Sequence, residues 1–249
     1  MSITALVRPP GPRLADGLVS HIERQDVDVT LALRQWRSYV DVLATVGWRV
    51  VEVAAADDCP DAVFVEDPVV VYGNTAVLAR SGAPSRRGEV AGVEAALTGH
   101  TIKRIEAPGT LDGGDVLKIG ATIYVGRGDR TNDDGIRQLA AHLPAATVVP
   151  VPVTRVLHLK SAVTALPDGT VIGFPPLVDD PTVFPTFLAV PEDAGAHVVL
   201  LGDNRVLMAA SAPRTAAMFA GMGLAPVTVD ISEFEKLEGC VTCLSVRLR

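Results

Sequence analysis

The sequence predicts an α/β fold built from a repeated unit of β-hairpin, helix and single strand. Composition leads to it: 48% of the 249 residues are hydrophobic and 20% charged, enough to bury a large core. Aromatics are only 4%, so that core is made of Val, Leu, Ile and Ala, which suit strands and closely packed helices. Four times an apolar run meets a polar turn and a second apolar run follows, and the whole unit recurs about every 45 residues. One such unit cannot bury both faces alone, so a closed ring of repeats follows naturally; an ordinary α/β sheet with irregular hairpins fits the same periodicity.

In chain order, Pro12 to Gln25 is polar and loop-like, a candidate mobile flap containing Leu18. Val29 to Val46 reads as a helix and Arg49 to Val53 as a strand. Val69 to Ala79 is the first hairpin, turning at Gly73-Asn74, where positive backbone φ is tolerated. Arg86 to Leu97 is a helix with Ser85 as its cap, and Thr101 to Ile105 a strand. Val116 to Val125 turns at Gly120; a helix over Asn132 to Leu143 with Thr131 as cap and a strand over Thr147 to Val151 follow. Ala162 to Gly173 turns at Asp168-Gly169. The Pro-rich segment Phe174 to Val190 reads as a surface loop or lid. Val198 to Ala209 turns at Gly202-Asp203-Asn204, then come a helix over Ala212 to Met222 and strands over Pro226 to Asp230 and Val241 to Leu248.

No stretch reads as an interdomain linker, so residues 1–249 are expected to form a single domain. The net charge is −7 and basic residues are scattered, which argues against a nucleic-acid footprint and suits a small cationic ligand. No apolar run reaches signal-peptide or membrane-span length, so a cytoplasmic protein with no membrane partner is expected, as monomer or homodimer. Three cysteines do not make a disulfide framework.

Four clusters could carry chemistry. Cys243 lies in Gly239-Cys240-Val241-Thr242-Cys243-Leu244-Ser245; it could be a core filler, a nucleophile, or with Cys240 a redox dithiol or half a zinc site. Zinc lacks a second cysteine pair, Cys59 being alone, and the redox reading lacks a strand-then-helix context. His158 sits among apolar residues before the third hairpin, as a hydrogen-bonded core histidine or a proton carrier. Asp61 with Glu66-Asp67, and Asp112-Gly113-Gly114-Asp115, also precede hairpins, so a ring would bring all four to one end of its centre. Adjacent buried carboxylates repel unless a cation lies between them, and a guanidinium, with its fork of donors, would satisfy both.

Together Phe64-Val65-Glu66-Asp67, Gly82-Ala83-Pro84-Ser85-Arg86-Arg87, Leu111-Asp112-Gly113-Gly114-Asp115-Val116-Leu117, Arg130-Thr131-Asn132, Leu157-His158-Leu159-Lys160-Ser161 and Glu238-Gly239-Cys240-Val241-Thr242-Cys243-Leu244-Ser245 resemble the dimethylarginine dimethylaminohydrolase family of the guanidine-modifying superfamily. The motifs run in register from about Ala5 to Arg249. The resemblance implies a five-bladed α/β propeller with pseudo-fivefold symmetry. It implies Cys243 as nucleophile, His158 as proton-transfer residue and Asp112 as the group orienting the imidazole. Glu66 and Asp67 would hold the guanidinium, Arg86 and Arg130 the α-carboxylate, and Asp61 with the backbones of Leu18 and Leu237 the α-ammonium. The implied reaction converts asymmetric dimethylarginine or monomethylarginine to citrulline and a methylamine through an S-alkylthiouronium, without metal or organic cofactor. Deiminases of the superfamily resemble His-x-Asp where this chain has His158-Leu159-Lys160, which favours the methylated substrate; Leu237-Glu238 replaces a common Val-Asp pair. An arginine deiminase-like hydrolase of another guanidine, or a non-catalytic or redox protein on the same scaffold, is the competing reading.

Overall fold

The structure is a computed structural model that describes residues 3–248; Met1, Ser2 and Arg249 of the expected domain lie outside it. The chain begins with β1 (Thr4–Val7), α1 (Val29–Thr45) and β2 (Arg49–Glu52). Then follow β3 (Val69–Tyr72), β4 (Thr75–Leu78), α2 (Val90–Ala96) and β5 (Thr101–Arg104). The next unit is β6 (Val116–Ile119), β7 (Thr122–Arg127), α3 (Asp133–His142) and β8 (Thr147–Pro152). After β9 (Val163–Ala165), β10 (Val171–Gly173) and β11 (Phe187–Ala189) come β12 (Val199–Gly202), β13 (Arg205–Ala209), α4 (Pro213–Gly221) and β14 (Ala225–Val229). The chain closes with α5 (Ser232–Glu235) and β15 (Val246–Leu248).

These strands form five three-stranded sheets of one topology: β3-β4-β5, β6-β7-β8, β9-β10-β11, β12-β13-β14 and β15-β1-β2. In each, the central strand pairs antiparallel on one side and parallel on the other. All four predicted hairpins are present, and their turns use Gly73, Gly120, Gly169 and Asp203-Asn204 at positive φ. A parallel pair needs a long crossover, which α1, α2, α3 and α4 supply in four sheets and two 3-10 turns, Pro175–Leu177 and Pro181–Val183, supply between β10 and β11. The fifth sheet has no hairpin of its own: the end of the chain pairs with its beginning, Thr4 opposite Leu248 and Leu6 opposite Val246.

Small sheets are marginal alone, and five hydrophobic clusters join them in sequence. Val70 and Val77 pack with Val116 and Ile123; Leu117 and Tyr124 with Val163 and Val171; Ile172 with Val206 and Met208. Leu207 and Val199 pack with Ala5 and Val7, and Leu6 and Val246 with Val69 and Leu78. The cycle of contacts is thereby complete. Each fully buried Leu, Val or Ile contributes roughly 1.5–3 kcal/mol, so the joints between sheets carry much of the stability.

Several sequence expectations need correction. The cap of α3 is Asn132, whose side chain accepts the Gly135 N–H at 2.9 Å; Thr131 instead donates its hydroxyl to buried Asp115 at 2.6 Å. Ser85 caps nothing, because a 3-10 segment, Pro84–Glu89, precedes α2. Residues 174–190 are not a free lid: Val178 and Phe184 are buried, Phe184 packs edge-on against Tyr124 at 5.1 Å, and β11 pairs parallel with β10. The final strand starts at Val246, not Val241, since the preceding residues form a turn closed by Cys243 N–H to Cys240 C=O at 3.0 Å.

Candidate active site

The turn that carries Cys243 is fixed from three directions. Tyr39, fully buried on α1, reaches the Val241 carbonyl at 2.9 Å and the Ser245 hydroxyl at 2.7 Å. Arg247 donates to the carbonyls of Thr242 and Ser245, both at 2.7 Å. The Glu66 N–H donates to the Cys243 carbonyl at 3.2 Å. A thiol on an anchored turn keeps one direction of approach, the property a nucleophile needs.

Cys243 lines a narrow pocket whose walls also include Leu18, Asp61, Asp67, Arg86, Arg130, His158 and Leu237. Residues from across the chain thus converge on one small volume. Glu238, Phe64, Leu157 and Gly239 complete the wall, the last three not anticipated as site residues from sequence. A larger cavity of about 270 Å³ lies beyond Gly239 and Cys240, but neither Cys243 nor His158 lines it.

His158 is 3% exposed, at the end of the run before β9. Its Nε2 lies 3.1 Å from Asp112 Oδ2, and its Nδ1 3.9 Å from Asp67 Oδ1. Burial alone would lower its pKa, but the charges of Asp67, Asp115 and Asp112 outweigh it and raise the imidazole to about 9. The ring is therefore a cation at neutral pH. Burial opposes ionisation of Asp112 too, yet its bond to His158 brings it down to about 2. Asp115 is pushed up to about 6 by burial, and is held by Thr131 and by the Leu159 N–H at 2.9 Å.

The two glycines between these aspartates allow the approach. A Cβ on Gly114 would stand 2.5 Å from His158 Nδ1 and 2.7 Å from Asp67 Oδ1; one on Gly113 would meet the Glu66 carbonyl at 2.1 Å. Gly114 also donates its N–H to Asp67 at 2.8 Å.

Glu66 and Asp67 do not grip one cation, contrary to the sequence expectation. Adjacent residues project to different sides, and Glu66 turns away from the cavity to Lys160 at 2.5 Å and Arg247 at 2.7 Å. Asp67 faces the cavity and takes Arg86 at 2.6 Å. Arg86 in turn is held by both oxygens of Glu89, each at 2.8 Å, a brace the sequence reading missed. The signal was there, since Glu89 follows Arg86 by three residues on a helical segment. Arg130 reaches Asp112 at 3.4 Å, and Asp61 accepts the Leu18 N–H at 3.0 Å. Burial raises Asp61 despite Arg86 nearby.

Cys240 Sγ lies 3.3 Å from Cys243 Sγ. That bond, together with burial, pushes the Cys243 thiol up, while it draws Cys240 down to about 5 against burial. Asp67, Asp112 and His158 bring one potential ligand atom each within 4.8 Å of one another, a set that could hold a metal ion. Arg86 and Arg130 stand against two of those carboxylates and would oppose a second cation there. Among the described residues no helix is long and apolar enough to cross a membrane.

Fold and cavity place the chain in a class first: the arginine deiminase family model matches residues 49–200. More closely, the chain is 66% identical over 249 residues to N(G),N(G)-dimethylarginine dimethylaminohydrolase of Streptomyces coelicolor, covering 98% of this chain and 96% of that protein. It is 35% identical to the enzyme of the same name from Pseudomonas aeruginosa, covering 97% and 98%. A solved structure of the Pseudomonas aeruginosa protein, a cysteine-to-serine mutant complexed with citrulline, superposes with a TM-score of 0.92 at 33% identity over the whole of both chains. A histidine-to-glycine dimethylarginine dimethylaminohydrolase carrying an S-methyl-L-thiocitrulline adduct matches equally, with a TM-score of 0.92. The chain belongs to the dimethylarginine dimethylaminohydrolase family.

Proposed function

We propose that this protein hydrolyses Nω-methylated arginines, asymmetric dimethylarginine and monomethylarginine, to citrulline and a methylamine. The observation that carries the reading is the shared cavity of Cys243, cationic His158 and Asp67, in a chain 66% identical to a protein of that name. Asp67 takes the guanidinium, and its charge offsets the cost of desolvating the cation. The arriving cation favours the Cys243 thiolate, since an opposite charge stabilises an ionised neighbour. The thiolate adds to the guanidinium carbon, His158 protonates the departing amine, and an S-alkylthiouronium remains on sulfur. Neutral His158 then takes a proton from water, whose oxygen becomes the ureido oxygen of citrulline as sulfur leaves. Asp112 orients the imidazole through the 3.1 Å contact.

At the other end, Arg130 and Arg86 take the α-carboxylate, Arg86 from a guanidinium already fixed by Glu89. Asp61, with the backbones of Leu18 and Leu237, takes the α-ammonium. Glu66 acts from behind Cys243 instead of on the substrate. The five like sheets and their cyclic packing support a single-domain, five-bladed α/β propeller with pseudo-fivefold symmetry. Three free cysteines suit a reducing, cytoplasmic setting, and the chemistry calls for no cofactor.

Citrulline release from asymmetric dimethylarginine, monomethylarginine and arginine, compared side by side for wild type and Cys243→Ser, tests the reading. Turnover of the methylated substrates alone, abolished by the substitution, is expected. Turnover of arginine alone would make it a deiminase, and no turnover of any of them would sink the hydrolase reading.

A further inference from the structure

Cys240 has no part in the reaction above, yet its sulfur lies 3.3 Å from the nucleophilic sulfur. We propose that Cys240 and Cys243 form an oxidative modification site, closed by a small hydroperoxide to an intramolecular disulfide that removes the nucleophile and reopened by a dithiol reductant. The inhibitory consequence rests on Cys243 being the nucleophile; formation of the bond does not.

Three observations carry it. The sulfurs are already 3.3 Å apart, so a bond of about 2.05 Å needs them to close by only about 1.3 Å. The backbone is fitted too: Cys243 N–H to Cys240 C=O at 3.0 Å makes the segment a tight turn, and such turns keep their end Cα atoms within about 7 Å, overlapping the range disulfides span. Finally, the two cysteines line different cavities. Cys243 lines the narrow substrate pocket and Cys240 the larger cavity of about 270 Å³, so a small oxidant can reach the pair from the Cys240 side although both side chains are buried.

The chemistry balances with the hydroperoxide as oxidant. One thiolate attacks the O–O bond and becomes a sulfenic acid, releasing an alcohol, or water from hydrogen peroxide. The second sulfur attacks the sulfenic sulfur, and its hydroxyl leaves as water with the remaining thiol proton. Two thiols and one peroxide yield one disulfide. The lowered pKa of Cys240 supplies a thiolate at neutral pH. Cys59 stands apart, its Sγ against the Ser85 carbonyl at 3.8 Å, and serves as an internal control.

The test exposes reduced wild type and Cys240→Ser to hydrogen peroxide, then reads intact mass, alkylation of each cysteine and citrulline release before and after dithiothreitol. Expected for wild type is a mass lower by two hydrogens, alkylation at Cys59 only, complete loss of turnover, and full return of mass and turnover on reduction. Cys240→Ser should show no such mass loss; it should gain oxygen atoms on Cys243 and, once past the sulfenic stage, stay inactive in dithiothreitol. Oxygen accumulating on wild-type Cys243 while Cys240 remains alkylatable would overturn the proposal. A disulfide that leaves turnover intact would overturn its inhibitory part and the role of Cys243 together. Should neither reduced protein turn over any guanidine, the functional reading fails while the mass and alkylation still decide whether the bond forms.

Discussion

Glu238 accepts the backbone N–H of Ser20 at 2.7 Å and of His21 at 2.9 Å, fastening the loop that carries Leu18 to the residue beside Gly239. The backbone of Glu238 is itself held at φ 60, a conformation that costs a non-glycine residue energy and persists because the contacts around it demand it. The loop therefore has a latch, and Glu238 makes it. Hydrogen bonds to a charged group are worth about 1.5–3 kcal/mol, less where solvent reaches them. Glu238→Ala should raise KM for the methylated substrates roughly tenfold, about 1.4 kcal/mol, with kcat little changed. It should also admit protease cleavage between Pro12 and Gln25; steady-state kinetics and limited proteolysis check both.

His158 and Asp112 tie stability to pH. Asp112 falls from 3.8 to about 2 and His158 rises from 6.5 to about 9 on folding. The histidine's contribution is complete below about 6.5 and disappears as pH rises through about 9. The aspartate's is complete above about 3.8 and disappears as pH falls through about 2. Urea midpoints of wild type, set against Asp112→Asn, should show the variant losing the excess stability of the window between those limits. Loss of the carboxylate should also move the alkaline limb of kcat to lower pH, because His158 no longer holds its proton as firmly.

Glu89 is 1% exposed and binds Arg86 by both oxygens. Breaking a buried pair strands the other charge, at a cost of about 3–5 kcal/mol. Glu89→Gln should lower the unfolding free energy obtained from urea titration by that amount, and kcat/KM should fall as well because Asp67 loses a fixed partner. Glu89→Asp, which keeps the charge, should recover part of both.

Gly114→Ala probes positioning. Its Cβ would come 2.5 Å from His158 Nδ1, so the imidazole must shift from its present position. Turnover should drop about 100-fold, as displacement of a positioned catalytic group by an ångström does. Thermal stability should fall far less, since no buried pair is removed. A variant with wild-type kcat would show that the ring position is not critical.

Much of the candidate site was legible because its residues announce themselves locally. Gly-Asn and Asp-Gly turns mark the hairpins, and acidic residues directly before apolar runs are hard to explain as solvated surface. The direction of Glu66 was not legible, since alternation along a chain says that neighbours diverge without saying what each will meet. Arg247, its partner, lies 181 positions away. The same holds for Cys240: a Cys-x-x-Cys spacing permits a dithiol contact, but only the turn at Cys243 shows it made, and that turn lies where the sequence suggested a strand.

By itself, the sequence determined the four hairpins, the main helices and the set of residues available for chemistry, because turn conformation and amphipathic spacing are properties of a few consecutive residues. The tertiary structure alone decided that β15 and β1 make the fifth sheet from the two ends of the chain. It also decided that Asp67 faces the cavity while Glu66 faces Lys160 and Arg247. Pairings of that kind are chosen by burial and charge balance among segments distant in the chain, and no local pattern encodes which distant partner will be met.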